Sequence, residues 1–193
     1  MRPRAARCKS RAGSTSPDFR SRAVWSALSV DGELRGGVIL MGNTYVALPS
    51  TPVAIAVDAQ RESADAGWDV PAFSWRDGST LVATGNAAFD TDATLRSLQV
   101  DLHSADIAPL RDRYLSGWLG LAGLGQMEMR GALDASLRLE GGTLQEAVAR
   151  LHGITLADAR DRFRFEGLSG NPRLSAAGEE TSELRWSGGH LYG

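Results

Sequence analysis

The sequence predicts a mainly β protein, built from antiparallel strands, with one short helix near residues 107–119. Three observations predict it. Apolar and polar residues alternate with period two along most of the chain after Val24, as they must on a strand that shows one face to an interior and one to water. Turn pairs such as Gly42-Asn43, Asp77-Gly78 and Gly141-Gly142 separate these runs. The alternation gives way to helical spacing most clearly after Asp106, where Ile107, Leu110 and Tyr114 share a helical face.

The clearest element is Gln126–Glu140. Met127, Met129, Gly131, Leu133, Ala135, Leu137 and Leu139 fall on one parity, and Glu128, Arg130, Ala132, Asp134, Ser136, Arg138 and Glu140 on the other. A helical step of 100° would scatter those leucines around a cylinder, so the run reads as one strand. Ordinary strands run to about 5–6 residues. At roughly 3.3 Å per residue this one reaches some 45 Å. A ribbon with an unbroken apolar face has to lay it on something, and both a second protein layer and an apolar ligand stay open.

The other elements follow in order. Leu34–Met41, Gly42-Asn43 and Thr44–Leu48 read as a hairpin closed by Pro49 and Pro52. Val53, Ile55, Val57 and Ala59 mark the next strand, and Ser63–Gly67 a loop. Trp68–Trp75 is a strand, Asp77-Gly78 a two-residue turn, and Leu81, Ala83, Gly85, Ala87 and Phe89 line one face of the return. Leu98, Val100 and Leu102 repeat the pattern against Gln99, Asp101 and His103. Asp106 is placed to cap a helix over Ile107–Leu119, with Pro109 in its first turn and Gly120 and Gly123 at its end. After Gly141-Gly142 two rules compete. Thr143-Leu-Gln-Glu146 is a capping box for a helix ending at Gly153, yet Ala147, Ala149, Leu151, Ile154 and Leu156 fit a return strand with a bulge near Gly153. The glycine pair after a long strand favours the strand. Phe163 and Phe165 mark a further strand, turned at Gly170-Asn171, with Leu174–Ala176 returning and Leu184–Trp186 running into a Gly188-Gly189 turn.

Composition narrows the function classes. With 193 residues, 42% apolar and 23% charged, the chain can build one core. The net charge of −2 favours neither nucleic acid nor a polyanion. It hides an asymmetry, because residues 1–22 carry seven Arg and Lys against Asp18 alone and have little to bury. That segment reads as a disordered basic tail, with residues 23–193 as the folded part. It has no interleaved aromatic platform for nucleic acid beyond Phe19. Cys8 is the single cysteine, which excludes an internal disulfide and a cysteine metal cluster. No run approaches the roughly 18–20 apolar residues of a spanning helix.

No constellation argues for catalysis. Asp101-x-His103-x-x-Asp106 has metal-friendly residue types but lacks a further His or Cys nearby. Asp158 and Asp161 suit turn and cap duty. Gly120-x-x-Gly123-x-Gly125 follows a helix instead of joining a strand to one, so it is no phosphate cradle. The chain reads as a non-enzyme with no cofactor. Trp118, beside the glycine-rich Leu119–Gly125 run, is a candidate for a lipid interface.

Taken together, Leu98-Gln-Val-Asp-Leu102, Arg113-Tyr114-Leu115, Gly131-Ala-Leu-Asp-Ala-Ser-Leu137, Leu156-Ala-Asp-Ala-Arg-Asp-Arg-Phe163 and Phe165-Glu-Gly-Leu-Ser-Gly170 form a pattern over about half the chain. It resembles the AsmA-like envelope proteins of Gram-negative bacteria, in particular their YdbH-like branch. The resemblance implies a long, curved, repeat-like antiparallel sheet whose apolar inner face is an open groove for phospholipid moving between membranes. It implies a periplasmic or envelope location and no catalytic residue. Met127, Met129, Leu133, Leu137 and Leu139 are then the expected lipid-facing residues. Two departures stand out: members of that group are far longer and begin with a membrane anchor. The chain is therefore expected to be a fragment, partnered by the remainder of the envelope protein or by another chain supplying the next strand. The competing expectation is a self-contained β-sandwich serving as a structural or protein-interaction module.

Overall fold

The computed structural model describes residues 7–9, 26–41, 44–160, 162–178 and 181–191. Among them, twelve strands join in one open antiparallel sheet and two more form a separate hairpin. The main path begins with β1 (Arg7–Lys9), β2 (Ala27–Leu34), β5 (Val53–Gln60), β6 (Trp68–Asp77), β7 (Leu81–Phe89) and β8 (Leu95–Ser104). It continues through β9 (Met127–Glu140), β10 (Thr143–Asp158) and β11 (Phe163–Gly170) to β13 (Leu184–Arg185). From β5 to β11 every strand pairs with its successor in sequence. The separate hairpin is β3 (Val38–Met41) with β4 (Thr44–Ala47).

The expected long strand is β9, and the contested segment 143–158 is its strand partner, not a helix. Opposite Gly131, β10 inserts one extra residue: Ala132 faces His152 while Arg130 faces Thr155. Gly153 takes φ +60° in this bulge and Gly131 takes φ +112° across from it. A Cβ on Gly131 would stand 2.9 Å from the Gly153 carbonyl oxygen, so only glycine fits that crossing.

Several expectations need correction. The expected strand Leu34–Met41 is two elements. β2 stops at Leu34, the positive φ of Gly36 and Gly37 turns the chain out of the sheet, and β3 begins at Val38. The turn after β6 spans three residues, with Asp77 paired to Leu81 and Gly78 at φ +52°. Leu174 does not return alongside β11. Instead β12 (Arg173–Ser175) continues along β10 beyond Pro172, which cannot donate to the ladder. Gly188-Gly189 is not a turn, because both residues lie in β14 (Gly188–Leu191), which pairs with β11 in line with β13. Within the expected tail, Arg7–Lys9 pairs antiparallel with β2. Residues 1–6 and 10–22, the Gly42-Asn43 pair and Asp161 lie outside the described residues.

The helical segment is broken into α1 (Ile107–Leu110), a π-helical turn Arg111–Leu115, and α2 (Ser116–Leu121). Asp106 caps it as expected, its carboxylate accepting from the Ala108 N–H at 3.0 Å. Ile107 and Leu110 point onto the sheet and meet Ile154 in the buried centre of the molecule. Leu81, Met129, Leu133, Leu151, Leu156 and Leu168 pack around them. The π turn carries a polar latch. Arg113 Nη1 donates to both Asp77 oxygens at 2.8 and 2.7 Å and to Thr80 Oγ1 at 3.1 Å. The Tyr114 hydroxyl donates to Asp77 at 3.0 Å and accepts from the Trp75 indole N–H at 2.8 Å. Asp77 is 2% exposed, so these bonds replace the water it lost on folding.

Candidate functional site: the two faces of the sheet

The register sorts the chain into one apolar and one polar face. Val30, Val57, Phe73, Gly85, Val100, Leu137, Ala147 and Leu174 are successive cross-strand partners. At about 4.8 Å per strand this row runs roughly 34 Å across the sheet without a polar side chain. The adjoining row, Gly32, Ile55, Trp75, Ala83, Leu102, Ala135 and Ala149, is likewise apolar. One residue over, the parity flips to Asp31, Ala56, Ser74, Thr84, Asp101, Ser136, Val148 and Arg173. Most of the apolar face is only half-buried. The helical segment lies over one end of it, where Ile107 and Leu110 are buried, and β4, with its buried Val46, packs against the π turn and α2.

The five residues expected to face lipid share this face but not one environment. Met127 is buried, and Met129 and Leu133 pack against the Ile107–Leu110–Ile154 centre under the helix. Leu137 and Leu139 are half-buried and lie beyond that centre, opposite Val100 and Leu98 on β8. The helix therefore takes up the first part of the predicted stripe, and the second part carries the more accessible apolar surface.

On the polar face the fold assembles a cluster that the sequence did not reveal. Asp134 on β9 accepts from His103 Nδ1 on β8 at 2.6 Å and from His152 Nε2 on β10 at 2.9 Å. These two hydrogen bonds hold the Asp134 carboxyl below the usual carboxylate range. His103 and Asp134, with Asp101, Ser136, Arg150 and Arg173, border an open depression of about 590 Å³. His103 and Asp134 are direct partners in the β8–β9 register, whereas their sequence separation carries no sign of it. Asp101 and Asp106 of the metal-like spacing go separate ways, one to this depression and one to the helix cap. Asp158 pairs with Arg162 Nε at 2.8 Å, in the expected turn role. Among the described residues, no group of three or more His, Cys, Asp or Glu is arranged to hold a metal ion. No helix among them is long and apolar enough to cross a membrane.

No protein-family model, curated protein or solved structure matches the chain.

Proposed function

We propose that the chain is a non-catalytic lipid-handling segment of a Gram-negative cell envelope, offering its apolar face to phospholipid acyl chains moving between membranes. The observation that carries this reading is the apolar row from Val30 to Leu174 on an open sheet. A closed sandwich would bury such a row against a second sheet of similar size. Here, among the described residues, the separate sheet has two strands and packs against the helical segment. Moving an intact lipid along a surface breaks no covalent bond and needs no proton relay, so the reading asks for no catalytic residue. The AsmA-like resemblance and the periplasmic location belong to the same proposal, with the next strand supplied by the rest of an envelope protein or a partner chain.

Native mass spectrometry of the purified protein tests it. Phospholipid adducts are expected, and Leu137→Arg is expected to remove them while Arg138→Ala, on the polar parity, keeps them. Because Leu137→Arg strains the sheet, Leu139→Ser is the milder companion, expected to weaken the adducts. A folded protein that carries no lipid after incubation with phospholipid vesicles would favour the structural or interaction module instead.

A further inference from the structure

The two longest stretches of the chain without Asp, Glu, Lys, Arg or His are residues 36–57 and 114–127. Far apart in sequence, they meet in space: β4 lies against both the π turn and α2. Each segment spends one apolar side on the protein and leaves another in water. In the hairpin, Val46 is buried and Ile39 half-buried on the inner side. The opposite parity brings Leu40 across from Tyr45 and Val38 across from Ala47. On that outer side Val38 is 52%, Leu40 71% and Tyr45 37% exposed. A two-stranded hairpin with apolar residues on both sides is unusual, because the solvent side is ordinarily polar. In α2, Trp118 and Leu121 are spaced three apart on one flank of the helix and are 52% and 74% exposed. Exposed apolar surface collected in this way marks an interaction site.

We propose that this tip, β3–β4 with α2, docks on the surface of a lipid bilayer. The composition of the tip favours a bilayer over a protein partner. A protein interface is rimmed by polar and charged groups that fix its orientation. Both segments lack charged residues, and the large apolar side chains they expose are Val38, Leu40 and Leu121 with Tyr45 and Trp118, the two aromatics suited to a membrane–water boundary. Two short elements with a few exposed apolar side chains suit shallow insertion at an interface, not a span. The tip also adjoins the covered end of the apolar face, which places any bilayer contact at one end of the sheet. The inference stands apart from the reading of that face as a lipid surface, since docking requires only the tip.

Flotation of the full chain with large unilamellar vesicles tests it, using phosphatidylethanolamine with phosphatidylglycerol, and phosphatidylcholine alone. The protein is expected to float with the vesicles, with its tryptophan emission shifted to the blue, and a Trp118→Phe variant is expected to lose most of that shift. The double substitution Leu40→Asp/Leu121→Asp sits on exposed positions, so it should leave the circular dichroism and Tm unchanged while cutting vesicle binding at least tenfold. Leu137→Arg or Leu139→Ser should leave flotation intact, which separates this proposal from lipid uptake by the sheet. Failure of the wild-type chain to float with either vesicle, or flotation of the double variant equal to wild type, overturns the proposal. Conversion of a wild-type dimer to a monomer by the double substitution, without vesicle binding, also overturns it and assigns the tip to contact between copies.

Discussion

Buried polar groups at single positions set the sharpest expectations. Asp77 is nearly fully buried and held by Arg113 and Tyr114, so Asp77→Ala removes the acceptor shared by a part-buried guanidinium and a part-buried phenol. A loss of about 3 kcal/mol is expected for breaking such a pair, read by urea denaturation. Tyr114 itself is pushed up to about 12, first by burial and then by the Asp77 carboxylate, although the Trp75 donor acts the other way. It stays neutral and serves as a donor through the physiological range. Ser104 is the contrasting case. Its hydroxyl is buried and has no hydrogen-bond partner among the described residues, so Ser104→Ala should be neutral or stabilising, by up to about 1 kcal/mol. Acid sensitivity is the third expectation. Hydrogen bonds from Arg162, the largest cause, hold Asp158 at about 2. An unfolded aspartate titrates near ~3.9, so this contribution is whole above that pH and is lost as pH falls through about 2. Stability measured from pH 5 to 2 should fall less in Asp158→Asn than in wild type, and equal slopes would remove Asp158 from the account. The partners of these residues were illegible in the sequence. Asp77 read as a turn residue and Arg113 as part of a helix, and only the packing of the π turn on the β6–β7 turn joins them.

At the level of elements, the strands were legible because half-buried sheet residues must alternate, and β5 to β9 do so plainly, whereas β10 also fitted a helix. The helix start was legible too, since Asp106 and Pro109 obey local capping chemistry. What stayed hidden depends on register, which is a property of pairs. Whether Leu174 lies beside β11 or beyond it along β10 cannot be read from its own neighbours. The same holds for His103, Asp134 and His152, whose meeting requires three strands in one alignment. The bulge was half legible: Gly153 interrupted the alternation, but its partner Gly131 looked like any strand glycine. Gly131→Ala should cost about 1–3 kcal/mol, through its positive φ and the close Gly153 carbonyl, as measured by the shift of the urea midpoint. Ala substitution at Gly36, where φ is also positive but nothing lies within 4 Å, should cost less.

For the molecule as a whole, the sheet has two edges, and among the described residues the β13–β14 edge has no strand on its outer side and exposes several large apolar side chains. Leu184, Trp186 and Leu191 are 42%, 60% and 74% exposed, and Trp186 rests edge-on against Phe165. Such an edge invites another strand. Light scattering is expected to show concentration-dependent self-association, reduced by Leu184→Lys with Leu191→Lys; a monomer at high concentration would contradict this. The order of strands has a further consequence, for how the protein comes into being. Because each strand from β5 to β10 pairs with the next one made, the ladder can assemble strand by strand as the chain leaves the ribosome. Short loop closures keep the entropic barrier low at most steps for a β protein, the helical connection from β8 to β9 being the long one. Nearest-neighbour stability of this kind also makes the sheet extensible: a hairpin gained or lost at an edge alters the length of the apolar row and leaves the strands behind it undisturbed.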